Sequence, residues 1–155
     1  MELSIIKGSI DYISDCEQAL VNSTLGEKYF SNEGSARRAL EEGFGKGEIH
    51  VALNGDECIG FIWFIPNGAF HSFPYLHIIA VKQKYRSQGV GKKLLEFFED
   101  TCFQEDSKLF LVVADFNLKA KKLYEEIGYK HVGTMPDLYR EGITEYLMMK
   151  IRQNG

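Results

Sequence analysis

Apolar positions along the chain change their spacing several times, and each change marks an element. Leu3 to Ile6 reads as a short strand, and from Ile10 to Leu25 the residues Ile10, Ile13 and Leu20 fall at helical spacing. A second short helix is expected over Ala36 to Phe44, after which Gly43, Gly45 and Gly47 end it and open a turn. Ile49 to Leu53 and Cys58 to Ile65 read as a hairpin joined by Asn54-Gly55, because Asn-Gly supplies the positive φ values of a tight turn. Pro66 is expected to stop the second of these strands.

Phe73 to Val81 reads as a central strand, long and apolar on both faces, and Gly91 to Phe103 as an amphipathic helix with Leu94, Leu95, Phe98 and Cys102 on one stripe. Leu109 to Ala114 has the pattern of a buried strand. Asn117 to Ile127 follows as a helix using Ala120, Leu123, Tyr124 and Ile127, closed by Gly128. Strands near Lys130 to Gly133 and Ile143 to Ile151 complete the order. With 155 residues and 45% hydrophobic content, residues 1–155 are expected to form one domain with its own core.

The chemistry concentrates at Arg86-Ser87-Gln88-Gly89-Val90-Gly91, where the apolar run Leu76 to Val81 gives way to the helix that carries Leu94 and Leu95. Two glycines let the backbone turn its N–H groups inward, and the helix behind them offers unpaired amides and the positive end of its dipole to an anion. Lys82, Lys84, Arg86, Lys92 and Lys93 fall within twelve residues that contain no Asp or Glu, although the chain carries a net charge of −4. A local cationic turn in an acidic chain of pI about 5.6 suits a compact polyanion such as a nucleotide diphosphate. A nucleic-acid backbone calls for a broad basic face, so nucleic acid is not an expected partner. A Walker-type loop would need Gly where Arg86 stands and Ser or Thr where Lys93 stands, and the dinucleotide fingerprint would need a small residue at Leu94.

Cys16, Cys58 and Cys102 are odd in number and widely spaced, which suits buried thiols in a reducing, cytoplasmic setting. Glu2 and Asp11 around a short apolar stretch do not make a signal peptide, and no apolar run approaches the roughly 20 residues of a membrane span, so no membrane is expected. His50, His71, His77 and His131 lack paired ligand spacing, and no metal is expected.

Arg86, Gly89 and Gly91 match R/Q-x-x-G-x-G/A, and Asn117-x-x-Ala120-x-x-Leu123-Tyr124-x-x-x-Gly128-Tyr129 is similar to N-x-x-A-x-x-L-Y-x-x-x-G-F/Y. With these two segments in this order, the chain resembles the GNAT superfamily of N-acetyltransferases, while its first 45 residues match only in general layout. The resemblance implies a mixed α/β fold with a mostly antiparallel sheet of about seven strands, a splayed parallel pair formed by the fourth and fifth, and about four flanking helices. It implies acetyl-CoA as co-substrate, with the diphosphate on the amides of Gln88, Gly89, Val90, Gly91 and Lys92 in a loop that includes Arg86 and Ser87. The pantetheine arm would lie along Ile79, Ala80 and Val81. A bulge near Ile78 to Ala80 would aim the Ile79 N–H at the thioester oxygen.

Within that resemblance Tyr124 is the expected general acid for the departing thiolate, and Asn117 serves both as a helix N-cap and near the pantetheine. His77, two residues before the expected bulge, leads as the base that strips the acceptor ammonium, with Tyr75, Asp115 and Glu145 as weaker candidates. The expected reaction is acetyl transfer to a primary amine in a ternary complex; the alternative is a non-catalytic CoA-binding module. Gly26 to Glu33 and Met135 to Gly142 are the segments that shape the acceptor site in similar proteins; Glu27, Glu33, Asp137 and Glu141 there fit a cationic amine and fit solvated surface carboxylates equally well. A homodimer is common among similar proteins.

Overall fold

A computed structural model describes residues 1–153. Its elements, in chain order, are β1 (Leu3–Lys7), a 3-10 turn (Ile10–Tyr12), α1 (Ile13–Val21), α2 (Thr24–Tyr29), α3 (Ser35–Gly45), β2 (Ile49–Asn54) and β3 (Glu57–Ala69). Then come β4 (Phe73–Val81), a 3-10 turn (Gln83–Tyr85), α4 (Val90–Cys102), β5 (Lys108–Ala114), α5 (Leu118–Glu126), β6 (Lys130–Pro136) and β7 (Thr144–Ile151). The strands form a seven-stranded sheet in the order β1-β2-β3-β4-β5-β7-β6. β1–β2, β2–β3, β5–β7 and β6–β7 pair antiparallel while β4 and β5 pair parallel, and α4 supplies the crossover that a parallel pair needs. No helix among the described residues is long and apolar enough to cross a membrane.

Two compact units make up the chain. The first comprises residues 1–64 and 78–99, with a core that includes Leu20, Leu40, Ile59, Phe61, Leu94 and Phe98. The helix expected from Ile10 to Leu25 is three pieces here, which raises the number of α-helices to five. Ser23 breaks it: its Oγ accepts from Gly26 N (3.0 Å) as N-cap of α2 and donates to Leu20 O (2.6 Å). Gly26 then packs so tightly on the Leu20 carbonyl that no Cβ could stand there. The β2–β3 turn is centred one residue later than expected, on Gly55-Asp56, with Gly55 at φ +61° and Asn54 paired with Glu57. A register shift leaves Ile59 as an extra residue opposite Ala52 and Leu53, and the Ile59 carbonyl accepts from Lys82 N (2.8 Å) at the exit of β4.

The second unit comprises residues 65–77 and 100–153 as described, with Leu109, Leu111, Tyr129 and Met148 buried at its centre. Pro66 does not stop β3, which runs on to Ala69; Pro66, Asn67 and Gly68 are exposed, so the missing N–H leaves no buried group unpaired. β5 pairs along its length with β7, from Lys108 opposite Ile151 to Ala114 opposite Glu145. The parallel register joins Tyr75 to Phe110 and Leu76 to Leu111, although both strands continue for several residues. β4 carries apolar residues on both faces, Phe73, Ile79 and Val81 lying on the odd-numbered one, but only one face is buried. Its even-numbered residues are buried, while His77 on the other face is exposed. Within α5 only Tyr124 is buried; Leu118 and Leu123, the latter expected on the core stripe, face outward.

Candidate functional site: a diphosphate turn and a buried tyrosine

Between β4 and α4 the backbone leaves regular structure for a short, tightly determined path. Lys82 N is held by Ile59 O, Tyr85 N donates to Lys82 O (2.9 Å) and Arg86 N to Gln83 O (3.2 Å), so the chain makes one 3-10 turn before Arg86 extends it. Ser87 then adopts φ +62° and Gly89 φ +85°. Gly89 occupies that region at no steric cost, whereas Ser87 is one of the few non-glycine residues held there, and such alternation turns successive N–H groups toward one side. Lys93 N donates to Gly89 O (3.0 Å) as α4 begins, so the amides of Val90, Gly91 and Lys92 are those a helix start leaves facing outward.

A Cβ built on Gly89 or on Gly91 would meet no atom within 4 Å. The protein therefore leaves the Cβ positions of both glycines uncovered, and close approach of an anion to this backbone requires that. Upstream, Gly60 faces β4 closely enough that a Cβ would stand 2.8 Å from Ala80 O, so glycine sets the path of the strand feeding the turn.

The five basic residues of this stretch do not act alike. Lys82 is turned inward with its side chain 8% exposed, and its Nζ lies 2.6 Å from Asp15 Oδ1 and 3.8 Å from Glu57 Oε2. Burial pulls its pKa down, but the hydrogen bond and charge of Asp15 and the charge of Glu57 outweigh it, so the net direction is up. Arg86 donates through Nε to Val81 O and through Nη2 to Asn22 O, each at 3.0 Å. Lys84 stands 3.7 Å from Glu57 and Lys93 3.6 Å from Glu96, both exposed, and Lys92 is exposed. Of the five, Lys82 and Arg86 are committed to protein groups. Sequence spacing could not reveal this, because Asp15 lies 67 residues from Lys82 and Asn22 lies 64 from Arg86.

Two hollows flank these elements within the first unit. One, of about 600 Å³, is lined by Gln18, Asn22, Glu57, Lys82, Gln83 and Lys84. The other, of about 400 Å³, lies against α1, α2 and the start of α3, with Glu17, Val21, Glu27, Phe30 and Glu33 among its walls. Glu17 is partly neutralised by Arg37 at 3.3 Å.

In the second unit Tyr124 is 9% exposed, its ring set edge-on to Tyr129 with centroids 5.9 Å apart. Burial pushes its phenol up to about 12, which keeps the proton on the oxygen through neutral pH. Asn117 holds the N-cap position of α5, where its carbonyl accepts from Lys121 N (3.1 Å), but its side chain makes no capping bond. His77 is exposed beside Tyr75, ring centroids 6.2 Å apart. The Tyr75 hydroxyl meets that of Tyr139 at 3.5 Å, and burial followed by Tyr139 raises its pKa. Tyr139 belongs to a loop closed by Gly142 N donating to Asp137 Oδ1 (2.6 Å), a contact no local pattern announced. Glu145 is buried at 3% exposure, and Asp115 is engaged in structure: its N donates to Thr144 O (2.8 Å) and its Oδ2 accepts from Thr144 N (3.0 Å).

The thiols are buried. Cys16 and Cys58 hydrogen-bond each other, which raises Cys16 and lowers Cys58, and burial pushes Cys102 up to about 12. None is placed to attack a thioester from solvent. Among the described residues no group of His, Cys, Asp and Glu could hold a metal ion.

A strand, a turn with positive φ at Ser87 and Gly89, two unobstructed glycines and a helix start lie on a mixed sheet with one parallel pair. The chain belongs to the GNAT family of acetyltransferases, whose family model matches residues 18–129. It is 30% identical over 101 residues to the N-alpha-acetyltransferase RimI of Mycobacterium tuberculosis, covering 64% of this chain and 63% of that protein. It is 29% identical over 128 residues to the thialysine N-epsilon-acetyltransferase of Sus scrofa, covering 82% and 72%. The crystal structure of the PaiA N-acetyltransferase from Thermoplasma acidophilum with coenzyme A superposes with a TM-score of 0.74 at 19% identity, covering 98% of this chain and 100% of that one. The match spans 28% of a further curated relative from Mycobacterium leprae, so for this relative and for RimI the chain covers under two thirds of their length.

Proposed function

We propose that this protein transfers the acetyl group of acetyl-CoA to a primary amine by direct attack within a ternary complex. The observation that carries the reading is the turn from Ser87 to Lys92, with its two positive-φ residues, its outward amides and the empty space before Gly89 and Gly91. When bound, acetyl-CoA supplies the thioester, and hence both the acetyl group and the thiolate leaving group. Gln88, Gly89, Val90, Gly91 and Lys92 hold the diphosphate through main-chain N–H groups, with Lys92 adding charge, while Arg86 and Ser87 give the loop its shape. Ile79, Ala80 and Val81 offer backbone groups to the pantetheine amides, and the Ile79 N–H polarises the thioester carbonyl. Asn117 contacts the pantetheine arm.

Tyr124 delivers the proton that the leaving sulfur needs, a role its burial supports by keeping the phenol protonated. His77 removes a proton from the acceptor ammonium, directly or through water, a role supported by its exposure on the outward face of β4. The names of two relatives carry N-alpha and N-epsilon positions, both amines, which supports an amine acceptor. Glu27 and Glu33, on the walls of the 400 Å³ hollow, favour a cationic one. Three buried free thiols support a cytoplasmic setting.

Calorimetry with acetyl-CoA, followed by thiol release with a panel of primary amines, tests the proposal. Binding in the micromolar range with thiol release by at least one amine is expected. Absence of both removes the reading.

A further inference from the structure

Arg86 is placed where a phosphate-binding arginine would be expected, yet its guanidinium faces protein. Nε donates to Val81 O and Nη2 to Asn22 O, both at 3.0 Å. Asn22 is the residue at which α1 ends, one position before the Ser23 cap that starts α2. At the other end of the same turn, Lys82 Nζ sits 2.6 Å from Asp15 Oδ1, two helical turns earlier on α1. The diphosphate turn is thus fastened to α1 at two points seven residues apart, one an ion pair and one a charge-assisted hydrogen bond to a carbonyl at the helix terminus.

These two ties differ in character. The Lys82 tie is largely buried and adds stability wherever the turn sits. The Arg86 tie is exposed, and it joins two irregular parts of the unit: the left-handed segment at Ser87 and Gly89, and the α1–α2 junction. A fork of two donors bridging two backbone carbonyls fixes both in direction as well as distance. Val21, Gly26, Glu27 and Phe30, which flank that junction, are also walls of the 400 Å³ hollow.

We infer that Arg86 is a positioning residue that couples occupation of the diphosphate turn to the order of the α1–α2 segment, and through it to the shape of the adjoining hollow. The inference rests on the turn binding coenzyme A as proposed above. A ligand that immobilises the amides of Gln88 to Lys92 also immobilises Arg86, whose second donor then holds the carbonyl of Asn22 in place. By reciprocity, anything that orders the junction tightens the grip on the diphosphate. No side chain of α1–α2 needs to touch the coenzyme for this to occur.

Hydrogen exchange read by mass spectrometry tests it, using coenzyme A as the probe on the wild-type protein, Arg86→Met and Arg86→Lys. In the wild type, saturating coenzyme A should slow exchange in residues 22–30 about threefold or more. Arg86→Met should bind coenzyme A more weakly and, at saturation, show protection of residues 88–94 with none in 22–30. Arg86→Lys, whose ammonium reaches one carbonyl rather than two, should be intermediate, and it carries the test if Arg86→Met does not fold. Wild-type protein that binds coenzyme A without protecting residues 22–30, or a variant that keeps the remote protection in full, overturns the coupling and leaves the acetyltransferase reading intact. Wild-type protein that does not bind coenzyme A at all overturns that reading first, and the coupling with it.

Discussion

Lys82 and Asp15 stand 2.6 Å apart, with the lysine side chain 8% and the aspartate 37% exposed, so the first charged residue of the phosphate turn belongs to the protein's own framework. Removing one partner leaves the other poorly solvated. Asp15→Ala should lower unfolding free energy by about 1–3 kcal/mol, less than a fully buried pair because solvent reaches the aspartate. The double variant Asp15→Ala, Lys82→Met should recover part of that loss, which urea unfolding would measure. Lys82 has a folded-state pKa above its unfolded one, so its contribution is complete below about pH 10.4 and is lost as pH rises through the folded value. Unfolding followed from pH 9 to pH 11 should show this decline in the wild type and a shallower one in Lys82→Met.

His50 gives the opposite pH signature. Its ring stacks on Phe64 (centroids 5.3 Å, 5° between planes) and lies 4.8 Å from Phe97, and its buried Nδ1 has no hydrogen-bond partner. Burial, then Lys7, lowers its pKa below 6.5, so stability is complete above the unfolded value and falls as acid forces a proton onto the ring. Thermal unfolding between pH 7 and pH 5 should show a larger drop in Tm for the wild type than for His50→Phe. Equal slopes would remove His50 as the source.

Gly89 and Gly91 should separate by what a methyl group costs. Gly89→Ala forces a side chain into φ +85°, which should destabilise by about 1–2 kcal/mol and weaken acetyl-CoA binding as well. Gly91 lies in the first turn of α4 with open space around its Cβ position, so Gly91→Ala should leave Tm unchanged or slightly raised. On the proposed reading the same methyl group obstructs the approach of the diphosphate, and acetyl-CoA affinity should fall about tenfold, ~1.4 kcal/mol. Calorimetry alongside thermal unfolding distinguishes the two.

Tyr124→Phe should lower kcat by roughly a hundredfold or more while acetyl-CoA binding is retained. With its phenol pushed up to about 12, Tyr124 stays protonated over the usual assay range, so its titration should produce no alkaline fall in rate below about pH 11. A variant with wild-type kcat would leave Tyr124 as packing against Tyr129, and the proton would have to come from elsewhere.

Local pattern carried most of the architecture, because strand and helix periods are properties of neighbouring residues. The stripe of Leu94, Leu95, Phe98 and Cys102 is buried as its spacing implies, and the two glycines of the turn stand at the helix start their position marks. Pro66 and the Ile10 to Leu25 run misled for the same reason in reverse. Whether a proline ends a strand depends on whether its missing N–H faces a partner, and whether a helix breaks at Ser23 depends on Gly26 seating against the Leu20 carbonyl.

The chain by itself determined where a cationic, glycine-bearing turn meets a helix start, because glycine freedom, charge and helix period are written in consecutive residues. Only the tertiary structure decided which charges remain for a ligand. Lys82 finds Asp15, Arg86 finds the carbonyl of Asn22 and Tyr75 meets Tyr139 across separations of more than sixty residues. Such pairings arise when the backbone folds and carry no period in the sequence, since electrostatics and hydrogen bonding act through space rather than along the chain.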